Sequence, residues 1–249
     1  MSYRYIKAPP GYTLRRRRPG QTVLKITFSS LLLTLGITAF TSVAYPMIVY
    51  QYRFAPRFTK TTLETPVVLG VTNTVKANEA PPAPAVLPEI VNTSLDYTNS
   101  NTWFAGKAKS AVTDPIVFNF SIPKLGIKDA TVRNDHTDLK QSLILYPGTA
   151  SPGDLGNAVI FGHSVLPQFF NPKNYLTIFS TLHTLTPGET INITFGPATY
   201  TYKIIDMYQT HPDDLSPLAQ SYDNRYLTLI TCTPPGTYLR RLIIKAVLI

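Results

Sequence analysis

At 249 residues, the chain can hold one domain of ordinary size with flanking segments, but not two large domains. Hydrophobic residues make up 44% and charged residues only 15%, against a usual charged share of about 25%, which excludes a disordered chain and a long charged coiled coil. The net charge of +9 would suit a nucleic-acid binder. However, residues 1–25 carry seven basic groups and no acid, while residues 101–249 hold 12 basic and 10 acidic residues, so the part expected to fold is nearly neutral and that class is excluded.

In chain order, the basic segment 1–25, with its run Arg15–Arg18, precedes residues 26–50, a stretch of 25 residues without Asp, Glu, Lys, Arg or His. A helix needs about 20 apolar residues to cross a bilayer, so this stretch is expected to be a transmembrane anchor, with Pro46 near its far end as a kink position. Seven basic residues before it and three soon after it (Arg53, Arg57, Lys60) place the N-terminus in the cytoplasm and the rest of the chain outside. The competing reading is a cleaved secretory signal, with Ser42-Val43-Ala44 as a small-residue cleavage site. The retained anchor is preferred because the apolar run continues through 45–50.

Residues 51–100 are rich in Thr, Pro, Ala, Val and Asn, with Ala80-Pro-Pro-Ala-Pro-Ala-Val-Leu-Pro88 favouring extended polyproline backbone. They are expected to tether a globular domain over 101–249. The 22 Pro and 15 Tyr against 3 Met favour strands and turns. Short apolar or alternating runs at 116–122, 157–161, 190–195, 199–207, 226–231 and 242–249 are set off by Pro, Gly, Asn and Asp, and predict an all-β sandwich or closed barrel. The pair 190–195 and 199–207 reads as a hairpin. Short helices are expected at 137–145, 177–185 and 212–219.

Cys232 is the only cysteine. It is either a small buried hydrophobe or a nucleophile. It ends the run Tyr226-Leu-Thr-Leu-Ile-Thr-Cys232, and Thr233-Pro-Pro-Gly236 then breaks the strand, so the thiol stands beside a loop, where catalytic groups gather. A reactive thiol needs a proton carrier and a positive group, which directs attention to His and Arg. Of four histidines, His163 follows the strand Asn157-Ala-Val-Ile-Phe-Gly-His163, with Gly162 leaving room beside its imidazole; His136, His183 and His211 read as solvated or structural. The chain returns as Arg240-Arg241-Leu-Ile-Ile-Lys, a strand antiparallel to 226–231. Alternation forbids both arginines from facing Cys232, and spacing alone does not choose between them.

Three of these segments resemble the sortases, the membrane-anchored cysteine transpeptidases of bacterial surfaces: Leu145-Tyr-Pro-Gly-Thr-Ala-Ser-Pro-Gly-Asp-Leu-Gly-Asn-Ala-Val-Ile-Phe-Gly-His163, Thr228-Leu-Ile-Thr-Cys232-Thr-Pro, and Arg241-Leu-Ile-Ile. Ile122-Pro-Lys-Leu-Gly-Ile is also similar to the family's early strand. The resemblance implies a closed, flattened eight-stranded β-barrel over nearly all of 116–249. It also implies Cys232 as nucleophile, His163 as general acid/base, Arg241 as the arginine that positions substrate and stabilises the oxyanion (Arg240 being the runner-up), and Thr231 as lining the scissile site. The implied substrate is a protein bearing a Leu-Pro-x-Thr-Gly-like sorting signal. The acceptor is an amine of cell-wall peptide or of a pilin-type subunit, and no cofactor or metal is needed. Asp213-Asp214 reads as a helix-start pair rather than a calcium site. Ser164 stands where many members place Arg, and the loop 165–175 is rich in Phe, Pro and Asn, so the subclass stays open. Two other readings are a hydrolytic cysteine peptidase of the same fold and a silent anchored barrel that binds peptide or wall polymer.

Overall fold

A computed structural model describes residues 19–58, 96–103 and 115–249. The arginine run, the polyproline stretch 80–88 and the rest of the tether over 59–95 lie outside the described residues. Two units are distinguished, 1–46 and 47–249. The described part of the first belongs to helix α1, Pro19–Val49. From Ile26 to Tyr45 its large apolar side chains are exposed rather than turned to one face. Its hydroxyls are satisfied within the helix, as Ser30 donates to the Thr27 carbonyl at 2.9 Å and Thr38 to that of Thr34 at 2.8 Å. This is what an apolar medium demands of polar side chains. Length and composition fit a membrane span, and a signal sequence near the N-terminus would share them.

In the second unit, eight strands close a barrel in the order β1-β2-β3-β4-β7-β8-β6-β5. They are β1 Val117–Ile122, β2 Ile127–Arg133, β3 Leu143–Leu145, β4 Gly156–Phe161, β5 Thr190–Phe195, β6 Ala198–Thr210, β7 Arg225–Thr233 and β8 Arg240–Leu248. The expected hairpin is β5–β6, turned at Gly196 with φ 59°. β1 and β5 pair antiparallel to close the cylinder. Only two neighbouring pairs run parallel, β2 with β3 and β4 with β7. The second of these sets up the site, because parallel strands deliver their C-terminal ends to one rim.

Alternation sorts the strand side chains into two clusters. One draws residues from all eight strands and fills the barrel, including Phe120, Val132, Leu143, Ile160, Ile193, Tyr202, Leu229 and Ile244. The other lies on the outer face of β3, β4, β7 and β8 and joins Ile144, Val159, Phe161, Ile230, Cys232 and Ile243 to Trp103, Leu139 and Leu218. β4 is therefore buried along its whole length. An uncharged, near-continuous apolar strand suits burial on both faces.

Two strands escape the sequence pattern. β2 carries Lys128 and Asp129 within it, Asp129 has φ 50°, and the β1–β2 register breaks between Phe120 and Ile122. β3 is three residues long and falls in the segment 137–145 expected to be helical. None of the three expected helices forms. Segment 137–142 is a run of turns, and 177–185 and 212–219 hold only the 3₁₀ turns Leu182–Thr184 and Ser216–Leu218. The physical reason is competition for backbone groups: Ile144 is claimed by pairing with Arg133 and Phe161, and Leu139 N–H donates to the Thr98 carbonyl at 2.8 Å.

The space at Gly162 goes to the core rather than to an imidazole. A Cβ there would lie 2.2 Å from Phe179 Cδ2 and 2.7 Å from Leu143 Cδ2, both residues of the barrel interior. Gly162→Ala is therefore expected to overpack the interior and destabilise the barrel by about 1–3 kcal/mol, measured as a lowered midpoint of thermal or urea unfolding. An unchanged midpoint would show that Phe179 yields without cost.

Candidate active site

The end of β7 carries Cys232, buried at 2% exposure on the outer face of the barrel. β8 returns antiparallel, and its register sets Cys232 directly opposite Arg241 and Thr233 opposite Arg240. The choice between the two arginines follows. Arg240 is exposed, whereas Arg241 is 1% exposed and its Nη1–H reaches Cys232 Sγ at 3.5 Å. Nη1 also lies 3.4 Å from the Tyr238 carbonyl. Arg241 Nε–H is buried without a partner among the described residues, so the guanidinium keeps a donor to offer an incoming acceptor.

On the other side, β4 runs parallel to β7 with Phe161 beside Ile230, and Gly162 N–H continues the ladder to the Ile230 carbonyl at 3.2 Å. Two residues further on, extending that register sets the chain at His163 level with Cys232, and both residues are buried. The neighbours of His163 are tied across this gap. Thr231 Oγ1 donates to the Gly162 carbonyl at 2.8 Å, and Ser164 Oγ donates to the Cys232 carbonyl at 2.8 Å. Thr231 alternates to the opposite face from Cys232, and its hydroxyl is engaged with β4. Ser164 is a buried crosslink between the two strand ends.

His163 Nδ1 lies 2.7 Å from the Leu176 carbonyl. A carbonyl only accepts, so Nδ1 carries the proton and Nε2 keeps its lone pair. Burial holds the imidazole below its usual value, partly offset by this hydrogen bond. Burial also pushes the Cys232 thiol up to about 11, against the pull of the Arg241 guanidinium. At neutral pH the resting pair is thus thiol and neutral imidazole.

Residues 96–103 cover the sulfur. They are fastened by Ser100 N–H to the Thr137 carbonyl and Leu139 N–H to the Thr98 carbonyl, each at 2.8 Å. Trp103 stacks on Phe161 with ring centroids 5.5 Å apart, and its Nε1–H donates to the Tyr97 carbonyl. The Arg241 guanidinium carbon lies 5.1 Å from the Trp103 ring centroid and 5.9 Å from that of Tyr97, whose ring stacks on Tyr238. Sequence reasoning missed this cover, and its one available signal was that Trp103 is the only tryptophan in the chain. The remaining histidines are placed elsewhere. His136 is bonded within its own turn, His183 is buried beside Tyr50 and Phe54, and His211 pairs with Asp213 on the surface. Asp214 bonds Thr210 and the Ser216 N–H. No three His, Cys, Asp or Glu side chains converge as a metal site among the described residues.

A Sortase domain family model matches residues 120–249 of this chain. Among solved structures, a Sortase D5 transpeptidase of Clostridium perfringens is similar at 30% identity, covering 55% of this chain and 79% of that one with a TM-score of 0.46. Sortase A from Corynebacterium diphtheriae is similar at 28% identity over 54% of this chain and 60% of that one (TM-score 0.47). Sortase C-1 from Actinomyces oris shares 24% identity over 55% and 75% (TM-score 0.47). No curated protein matches the chain.

The covered thiol yields a direct expectation. The rate of Cys232 alkylation by iodoacetamide should climb about tenfold per pH unit toward a bend near 11. Trp103→Ala, which admits water to the sulfur, should lower that bend and raise the rate at pH 7.5 at least about tenfold. A wild-type bend near the ordinary thiol value would rule out burial as the controlling influence.

Proposed function

This chain belongs to the sortase family and is a cysteine transpeptidase, and we propose that it cleaves a Leu-Pro-x-Thr-Gly-like sorting signal at the Thr-Gly bond and transfers the acyl group to an amine of cell-wall peptide or of a pilin-type subunit. The observation that carries the assignment of roles is the rung Cys232–Arg241 with His163 alongside. A lone thiol, a buried guanidinium with a spare donor and an imidazole with a free nitrogen are brought to one rim of the barrel.

In this reading, Cys232 passes its proton to His163 Nε2 as sulfur attacks the scissile carbonyl. The Arg241 N–H groups offset the charge that develops on the carbonyl oxygen. The tetrahedral adduct collapses when the His163 imidazolium returns the proton to the leaving amine of the glycine, and a thioester to Cys232 remains. An incoming amine then attacks the thioester, gives a proton to His163 and releases the thiol, so a new amide replaces the old one without a nucleotide. Because Cys232 is covered by residues 96–103, an extended peptide reaches the sulfur only when that segment moves aside. Ser164 and Thr231 hold the β4 and β7 ends together, and Thr231 borders the scissile site through its backbone. Helix α1 anchors the enzyme in the membrane, with the N-terminal basic segment in the cytoplasm and the barrel outside.

Two measurements test the roles, both using a quenched Leu-Pro-x-Thr-Gly peptide with and without an amine acceptor. Cys232→Ala should abolish both cleavage of the peptide and transfer to the amine, and retained cleavage would defeat the nucleophile assignment. Arg241→Ala should lower kcat/KM by about 10²–10³, whereas Arg240→Ala should stay within about twofold, as expected of an exposed side chain. Equal losses in the two arginine variants would defeat the assignment. In the pH profile of kcat/KM, burial of His163 should place the acidic limb below about 6.5, because the imidazole must be neutral to accept the thiol proton. An acidic limb above that value would contradict the proton route.

A further inference from the structure

The mechanism above leaves one buried ionisable group near the site unused. Tyr50 is 2% exposed and follows the last residue of α1, opening the turn Tyr50–Phe54. The sequence assigns this region to the end of the anchor and the start of a tether. Here residues 50–58 pack on the barrel instead. Phe58 is 4% exposed within the interior cluster, Phe54 packs against that cluster, and the His183 ring stands edge-on between Tyr50 and Phe54 at 5.2 and 4.7 Å. The helical run Lys25–Phe58 has 34 residues, more than the about 20 a bilayer requires, and its uncharged part ends at Tyr50, so its last residues are free to serve the barrel.

The Tyr50 hydroxyl accepts hydrogen bonds from two strands. Gln209 Nε2–H of β6 donates to it at 2.7 Å, and the Thr233 hydroxyl of β7 donates to it as well. Strand β8 lies between those two. Its Arg241 pairs with Thr210 on one side and Cys232 on the other. Gln209 is one residue before Thr210, and Thr233 is one residue after Cys232, so the single phenol oxygen spans the rung Thr210–Arg241–Cys232 from its two ends. Thr233 is 1% exposed and alternates to the opposite face from the sulfur. The phenol therefore braces the strands from behind without approaching the reacting atoms.

We propose that Tyr50 is a positioning residue for the Cys232–Arg241 pair, its hydroxyl clamping β6 to β7 across β8 so that the end of the membrane helix is a working part of the catalytic barrel. This rests on the assignment of Cys232 and Arg241 as nucleophile and oxyanion donor. Without the clamp, the ladder around Arg241 gains freedom, and the guanidinium spends less time within reach of sulfur and of the carbonyl oxygen. The loss falls on kcat rather than on peptide binding.

The test uses the full chain in detergent or lipid nanodiscs and compares Tyr50→Phe, Thr233→Val, their combination, and Tyr52→Phe as a control at an 80% exposed neighbour. Tyr50→Phe should lower kcat by about fivefold or more with KM within about twofold, since the buried Thr233 hydroxyl and the half-buried Gln209 amide lose their acceptor. It should also move the bend of Cys232 alkylation to higher pH, because Arg241 is what draws that bend down. Tyr52→Phe should match wild type. Thr233→Val removes the clamp from the other end and should reproduce the kcat loss, and in that background Tyr50→Phe should cost markedly less than it does alone. Wild-type kcat and alkylation in Tyr50→Phe, or an undiminished loss in the Thr233→Val background, would overturn the proposal. If Tyr50→Phe does not fold, wild-type kcat in Thr233→Val overturns it instead. Retained cleavage of the peptide by Cys232→Ala would overturn the underlying assignment, a result distinct from a silent Tyr50→Phe beside an inactive Cys232→Ala.

Discussion

Parallel pairing of β4 with β7 is the constraint on which the site depends. In a meander of hairpins, consecutive strand ends alternate between rims, and a residue after one strand would face away from a residue at the end of its neighbour. Here β5 and β6 intervene in sequence, so β4 and β7 finish together and His163 comes level with Cys232. Strand β8 then enters from the same rim, and an antiparallel register puts Arg241 on the third side. Backbone pairing thus brings the chain at His163 level with Cys232 across a long separation in sequence, with Arg241 opposite the cysteine on the next strand. The hydroxyls of Thr231 and Ser164 crosslink β4 and β7 where the regular ladder ends, which keeps the convergence from fraying.

The surroundings of the sulfur set reactivity against protection. An apolar wall of Phe161, Ile230 and Trp103 with little water keeps the proton on sulfur, and a protonated thiol resists oxidation far better than a thiolate. For the one thiol of an enzyme proposed to work outside the cell this is useful, because no reducing pool surrounds it there. The guanidinium works in the other direction. Held against aromatic faces with its Nε–H unpartnered among the described residues, it draws the thiol toward ionisation while burial resists, so the same few residues exert both influences.

Much of this was legible in the sequence because the signals were local. β-branched runs punctuated by Pro and Gly gave six of the eight strands, and Gly162-His163 with Thr231-Cys232-Thr233-Pro234 marked the rim. What was not legible depended on tertiary choices. β2 interrupts its apolar alternation with Lys128 and Asp129, and β3 is too short to show a period. Arg240 and Arg241 are equivalent until the turn through Pro234 and Gly236 fixes the register. The cover from Tyr97 to Trp103 has no periodicity of its own and is held by backbone bonds to 137–139, so nothing near it in sequence announces its place. The bracing by Tyr50 joins residues more than 150 positions apart, where local pattern carries no information.

Closure of the cylinder through β1 and β5 has a consequence for how a polypeptide can be recognised. An open sheet offers its outermost backbone groups to any extended chain, which favours indiscriminate strand addition and self-association. A closed sheet narrows that option to the short stretches that lack a second strand neighbour, such as the part of β2 before Val132. Such a wall leaves side chains and loops at the rim as the parts of the surface that can vary while the hydrogen-bonded ladder stays untouched.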